Sequence, residues 1–187
     1  MARARRRWMR EQGMLDPTRL VFMMRLLLTP RRWCGFPAAA LAASGWWAMY
    51  RRATGRRSPS WPLLRRNSMT AAQTIDGSMT GKKFLAYVEQ CLAPTLKRKD
   101  IVMIDNLPAH KAAGVREVIE ARGATLRYLP KYSPDLNPIE MPFGKLKADL
   151  RKAAERTIPR LRRRIGRFAA TLSAREASNY FRHAGYA

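Results

Sequence analysis

The sequence predicts an α/β fold with parallel strands, and three observations carry that prediction. Two segments of strand length, the apolar run Ile101-Val102-Met103-Ile104 and Thr125–Leu129, lie between segments with helical spacing. Helix start and stop signals flank those segments: Thr80, Gly123 and Asn137-Pro138. The resulting order, helix–strand–helix–strand–helix, is that of strands joined by crossover helices. The 187 residues suffice for one domain with a real core.

Taken in order, residues 1–16 read as a short basic helix or linker, and Leu20–Met24 as an apolar run of strand length. Residues 25–66 show no sustained period of 2 or 3.6 and are rich in Arg, Ala, Trp, Pro, Gly and Ser. Four of the five tryptophans fall there (33, 46, 47 and 61), which argues against simple solvated disorder. From residue 67 the pattern returns. Asp76-Gly77 reads as a turn, and Thr80 caps a helix with Phe84, Leu85, Val88 and Leu92 on one face. Ala112–Arg122 is amphipathic and Gly123 is its C-cap. After the second strand, Asn137 reads as the N-cap of a helix with Pro138 at its first position, carrying Ile139, Phe143, Leu146 and Leu150. The last 35 residues are helical and basic. The chain thus divides into 1–22 (basic linker and first strand), 23–66 (aberrant) and 67–187 (the regular remainder).

Thirty-seven Lys and Arg against 13 Asp and Glu give a formal charge of +24, which points to a polyanion and most simply to nucleic acid. The charge is unevenly placed. From Pro17 to Ile75, 59 residues carry ten Arg and no carboxylate, where average composition would supply about seven acids. Residues 76–187 hold 22 basic and 11 acidic residues. Cys34 and Cys91 are isolated, so reduced thiols and no zinc site are expected. No stretch reaches 18 uninterrupted apolar residues, so no membrane partner is expected.

Two carboxylates stand out. Asp105 follows an apolar strand, where open α/β sheets place their active sites, and Glu140 falls in the first turn of a helix behind a Pro-rich loop. The 34 residues between them hold one helix, one strand and the loop, which returns the chain to the same sheet edge. Two hard anionic oxygens there suit Mg²⁺. Metal sites of this kind activate water or a 3′-hydroxyl against a phosphodiester. Each residue also has a structural reading: Asp before Asn forms turns, and Glu in a first turn complements the helix dipole.

The strings Ile104-Asp105-Asn106-Leu107-Pro108-Ala109-His110 and Tyr128-Leu129-Pro130-Lys131-Tyr132-Ser133-Pro134-Asp135-Leu136-Asn137-Pro138-Ile139-Glu140 resemble the catalytic domain of mariner-like DDE transposases of bacterial insertion sequences. The likeness runs from about Leu64 to the C-terminus. It implies an RNase H-like fold, a mixed sheet flanked by helices, with Mg²⁺ or Mn²⁺ as cofactor. It also implies cleavage of transposon ends and strand transfer into target DNA, a homodimeric assembly, and a cytoplasmic, nucleoid-associated protein. Asp105 matches the family's second catalytic Asp and Glu140 its final Glu, both metal ligands. His110, Lys111 and Lys131 near the carboxylates, with Arg160, Arg163 and Arg164 in the basic C-terminal helices, are the residues expected to contact DNA phosphates. The alternative is a basic DNA-binding remnant without catalysis.

Three departures from the family matter. Its first catalytic Asp follows the first strand, where Met23-Met24-Arg25 stands here, so impaired catalysis is expected. Its helix-turn-helix modules lie upstream, and 16 residues are too few for them. Pro142 falls within two turns of Glu140 and is expected to disturb that helix. Asp76 is the one nearby substitute for the missing Asp, and its Asp-Gly context favours a turn.

One reading joins the missing Asp to the acid-free gap. Met has a single codon, so Met23-Met24 is encoded ATGATG, which contains GAT, an Asp codon, in a shifted frame. An AGA or AGG codon for Arg25 then makes the next shifted triplet GAG, Glu. Ser60-Trp61-Pro62 in that frame yields NTG and GCC, an apolar residue and Ala. Residues 23–63 are therefore expected to be an out-of-frame reading with compensating shifts near both ends; the rival is a genuine basic insertion. On that reading the N-terminal β-hairpin is incomplete, strands 101–104 and 125–129 lose neighbours, the core shrinks to about residues 76–150, and 25–66 is poorly ordered.

Overall fold

β1 (Leu20–Met23) is the central strand of a five-stranded sheet, and all four of its residues are buried. The computed structural model describes residues 2–28, 58–70, 80–153 and 157–186. Upstream of β1 lies α1 (Ala2–Gln12). After it come β2 (Leu26–Leu28), β3 (Ser58–Ser60), β4 (Leu63–Arg65) and β5 (Ser68–Thr70). Next is α2 (Gly81–Tyr87), which runs into a π-helical turn over Val88–Leu92. Then follow β6 (Ile101–Ile104), α3 (Val115–Glu120), β7 (Thr125–Tyr128), α4 (Glu140–Ala153), α5 (Ile158–Thr171) and α6 (Ala174–His183). No helix among the described residues is long and apolar enough to cross a membrane.

The strand order is β5-β4-β1-β6-β7. β1, β6 and β7 are mutually parallel, and β4 and β5 are antiparallel additions. Both faces of the sheet are covered, which is why β1 is a continuous apolar run rather than an alternating one. Leu20 and Phe22 join a cluster with Met103 of β6 and with Phe143, Leu146 and Phe181 from the C-terminal helices. Val21 and Met23 join the opposite cluster with Val102, Ile104, Phe84 and Ile119. The sheet therefore sits between α4–α6 on one side and α2–α3 on the other.

The sheet corrects part of the sequence reading. β6 keeps both its neighbours, β1 and β7, because β1 pairs with it directly. The core also extends well beyond residues 76–150: Trp8, Trp61, Leu64, Phe181 and Tyr186 are all buried. Trp61, inside the aberrant segment, is fully buried against Phe84 and Tyr87, with ring centroids 6.0 and 5.1 Å away. Arg65, at the end of that segment, donates to the buried Asp100 carboxylate at 2.8 Å.

The β2–β3 ladder shares one register with β1–β4. The residue numbers of every pair add to the same total, from Phe22–Leu64 through Leu26–Ser60 to Leu28–Ser58. The two ladders are halves of one antiparallel pairing, interrupted where Met24 and Arg25 face Pro62 and Trp61. Residues 29–57 lie outside the described residues, as do Asp76 and most of the expected disorder in 25–66.

Local signals set most helix ends. Thr80 caps α2, its hydroxyl accepting from the Lys83 amide. The expected helix over 112–122 shortens to α3, because Ala112 is extended and Gly114 takes φ +87°, a left-handed backbone suited to glycine. Gly123, at φ +70°, ends that region as expected. α4 begins at Glu140, two residues later than the Asn137 cap predicts. The reason is a 3₁₀ turn over Pro134–Leu136, whose first carbonyl takes the Asn137 amide. That late start also removes the expected harm from Pro142, which now lies in the first turn, where backbone N–H groups have no helical partner anyway.

Candidate active site

Asp105 is the first residue after β6, and Leu129 the first after β7; the Leu129 amide donates to the Ile104 carbonyl at 2.9 Å. The chain then runs through Pro130–Asn137 to the start of α4. This path brings Asp105 and Glu140 to one cleft of about 420 Å³ at the carboxyl end of the parallel strands. Asn106, Lys131, Tyr132 and Asn137 also line it. Burial pushes the Glu140 carboxyl above its usual value; Lys147 pulls it back, and the charge of Asp105 adds a smaller upward push.

The register between β1 and β6 identifies the residue beside Asp105. Met23 pairs with Ile104, so Met24 lies alongside Asp105 where the parallel strands end. Met24 is half-buried against the cluster that holds Ile139 and Phe143, the face from which Glu140 approaches. Among the described residues no group of three or more His, Cys, Asp or Glu is placed to hold a metal ion. The donor set is thus two carboxylates. They fit one hard divalent cation that keeps several of its waters, and they are too few to hold a pair of ions.

His110 departs from its expected contact with DNA. It is fully buried, because its imidazole stacks on Phe84 with centroids 4.6 Å apart and turns Nδ1 onto Asp105 Oδ1. The Tyr128 hydroxyl donates to the His110 carbonyl at 3.2 Å, fixing the 3₁₀ turn Pro108–Lys111 that carries it. The His110 ring is therefore set directly against the Asp105 carboxylate. Lys111 is exposed over the Tyr128 ring, and Lys131 is exposed in the cleft wall. Arg160 and Arg163 are exposed on α5, but neither lines the cleft. Arg164 is held by both oxygens of Asp149, at 2.7 and 2.8 Å, and so joins α5 to α4; that pairing opposes its expected role on phosphate.

Two further residues belong to the site. The side-chain oxygens of Asn106 and Asn137 are buried without a hydrogen-bond partner among the described residues, and both residues line the cleft. Sequence reasoning assigned them to turn and cap; their adjacency to the two carboxylates within the motif strings was the available signal. The site is also braced from α1. Arg5 pairs with Asp135 in the loop before Glu140, and the Trp8 indole donates to the Tyr186 hydroxyl at 3.0 Å. Tyr186 in turn donates to the Leu136 carbonyl at 2.9 Å.

A mixed five-stranded sheet between helical layers, with an acidic pair at the carboxyl end of its parallel strands, defines the class: an RNase H-like catalytic fold. A family model for the DDE superfamily endonuclease matches residues 51–162, and the chain belongs to that family. Among solved structures, the catalytic domain of Mos1 mariner transposase shares 13% identity, with 98% of this chain and 88% of that one covered and a TM-score of 0.64. The Mos1 strand transfer complex gives 14% identity, 97% and 58% coverage and a TM-score of 0.71. The Mos1 catalytic domain with raltegravir and Mg gives 14%, 98% and 83%, and 0.62. The search of curated proteins returned no match.

Proposed function

We propose that this chain is the catalytic domain of a DNA transposase, of the kind that cuts the ends of a mobile element and joins them to target DNA, and that this copy is catalytically impaired. One observation carries the reading: Asp105 and Glu140 share a cleft whose third carboxylate position, by strand register, is Met24. Asp105 and Glu140 would hold Mg²⁺ or Mn²⁺. That ion would supply Lewis acidity toward a phosphodiester oxygen and a water. The chain's own residues do the rest. His110 holds Asp105 in place, Glu140 brings the second carboxylate from the start of α4, and Lys131 at the cleft wall faces the backbone phosphate. DNA ends and target are the partners, and a homodimer the assembly. Two carboxylates in place of three leave the charge on a metal pair under-compensated, so turnover is weak.

The shifted-frame reading belongs to the same proposal. A single nucleotide missing from codon 23 places GAT at position 24, beside Asp105, and GAG at position 25 if Arg25 is encoded AGG or AGA. The nucleotide sequence tests it: a shifted frame across residues 23–63 without strand-like apolar patterning would exclude it.

The activity test is Mg²⁺- or Mn²⁺-dependent nicking of the element's inverted-repeat DNA. Weak nicking that disappears in Asp105→Ala and Glu140→Ala is expected. Robust wild-type cleavage would overturn the impairment, and nicking indifferent to both substitutions would overturn the site. Specific DNA binding with no nicking at all would favour a DNA-binding remnant.

A further inference from the structure

We propose that α1 carries a docking track for the DNA backbone that leads directly into the catalytic cleft. The inference rests on the DNA-cleaving function proposed above. Five arginines lie on α1, and the structure separates them into two sets. Arg5 and Arg7 are occupied: Arg5 by Asp135, and Arg7 by Glu11, which Arg127 also contacts. Arg3, Arg6 and Arg10 are exposed and have no carboxylate partner among the described residues. Their spacing of three and four residues places them on one helix face.

That face is continuous with the active site. Arg3, Arg6 and Arg10 share a shallow concavity with Met9. Met9, half exposed at 52%, also lines a groove of about 520 Å³ that runs past Asn137 to Glu140. Asn137 and Glu140 are in turn walls of the catalytic cleft. Three unpaired guanidinium groups thus lead to the carboxylates along a single connected surface. α1 is also seated through Arg5–Asp135 and Trp8–Tyr186, so little ordering of the helix itself remains to oppose binding. A row of cations on a seated helix beside an acidic cutting site suits a phosphodiester strand, which neutralises the row while its scissile bond lies in the cleft.

The test measures binding of the full chain to a short mixed-sequence DNA duplex across a salt series. The variant is the triple substitution Arg3→Gln, Arg6→Gln, Arg10→Gln, exposed positions at which glutamine keeps helix propensity. The control is Lys97→Gln, Lys99→Gln, Arg122→Gln, which removes the same charge at the opposite, amino end of β6 and β7. The α1 triple variant is expected to flatten the salt slope by about 2–3, near 0.9 per lost phosphate contact, and to lose about tenfold or more in affinity at low salt. The control should stay within about twofold of wild type. Wild-type binding with equal losses in both triple variants would overturn the track while leaving the catalytic reading intact. No wild-type binding to duplex would overturn both. Arginine-dependent binding to phosphatidylserine vesicles without binding to duplex would assign the face to a membrane surface and overturn the proposal.

Discussion

Met24 and His110 are the residues set most directly against Asp105, one across the parallel strands and one through its imidazole. Met24 fills, with a half-buried thioether, the position that flanks Asp105 across the parallel strands. Met24→Asp should raise Mg²⁺-dependent nicking by at least about tenfold, because a third carboxylate allows a two-ion site. Without metal it should cost about 1–2 kcal/mol, since three neighbouring carboxylates repel one another. Thermal unfolding with and without Mg²⁺ checks this, and the metal-induced rise in Tm should exceed that of wild type. His110 is fully buried between Phe84 and Asp105. His110→Ala should destabilise by about 2–4 kcal/mol in urea titrations, from the cavity left behind. His110→Phe should recover most of that stability but not the metal response, because it restores the stacked ring without the contact to Asp105. Asp105 and Glu140 were legible in the sequence, since strand-end and helix-start positions are local. His110 was misread as facing DNA because its burial depends on Phe84, 26 residues away in the chain.

Elements position these residues through a few cross-links. α4 and α5 are tied by the two-pronged Asp149–Arg164 pair, both side chains about one-third exposed. Hydrogen bonds from Arg164, aided by its charge, hold the Asp149 carboxyl below its usual range. A depressed folded-state pKa contributes stability that is present above the ordinary carboxylate range and lost as pH falls through the folded value. Asp149→Asn should therefore cost about 0.5–1 kcal/mol at pH 7, discounted for solvent screening. The difference should shrink in urea titrations as pH falls below the ordinary carboxylate range and through the depressed folded-state value, where the wild-type carboxylate also becomes neutral. α1 shows how far an element's role can exceed its local pattern. Its arginines read as a basic linker, but Arg5 braces the loop before Glu140 and Trp8 seals against Tyr186. α4 shows the reverse limit: the Pro-rich string signalled a helix start, and the 3₁₀ turn at Pro134–Leu136 moved it to Glu140.

At the scale of the whole molecule, two hydrophobic clusters share one sheet, and β1 contributes to both. Neither can dissolve without exposing β1 and β6. A single urea transition is therefore expected, with tryptophan fluorescence and far-UV circular dichroism coinciding; separate midpoints would show that the two faces unfold independently. The net charge of +24 likewise gains meaning only in place. Arg5, Arg65 and Arg164 are consumed by carboxylates, whereas Arg3, Arg6 and Arg10 are exposed without one among the described residues. By itself the sequence determined the α/β order of residues 80–186, the helix stop at Gly123, the Thr80 cap and the two carboxylates, because these depend on spacing and chemistry within a few residues. Only the tertiary structure decided that β1 meets β6 with Met24 beside Asp105, that β4 and β5 extend the sheet, that Trp61 is core, and that α1 braces the site. Those outcomes come from burying apolar faces contributed by segments tens of residues apart, and one shared register aligns them all at once.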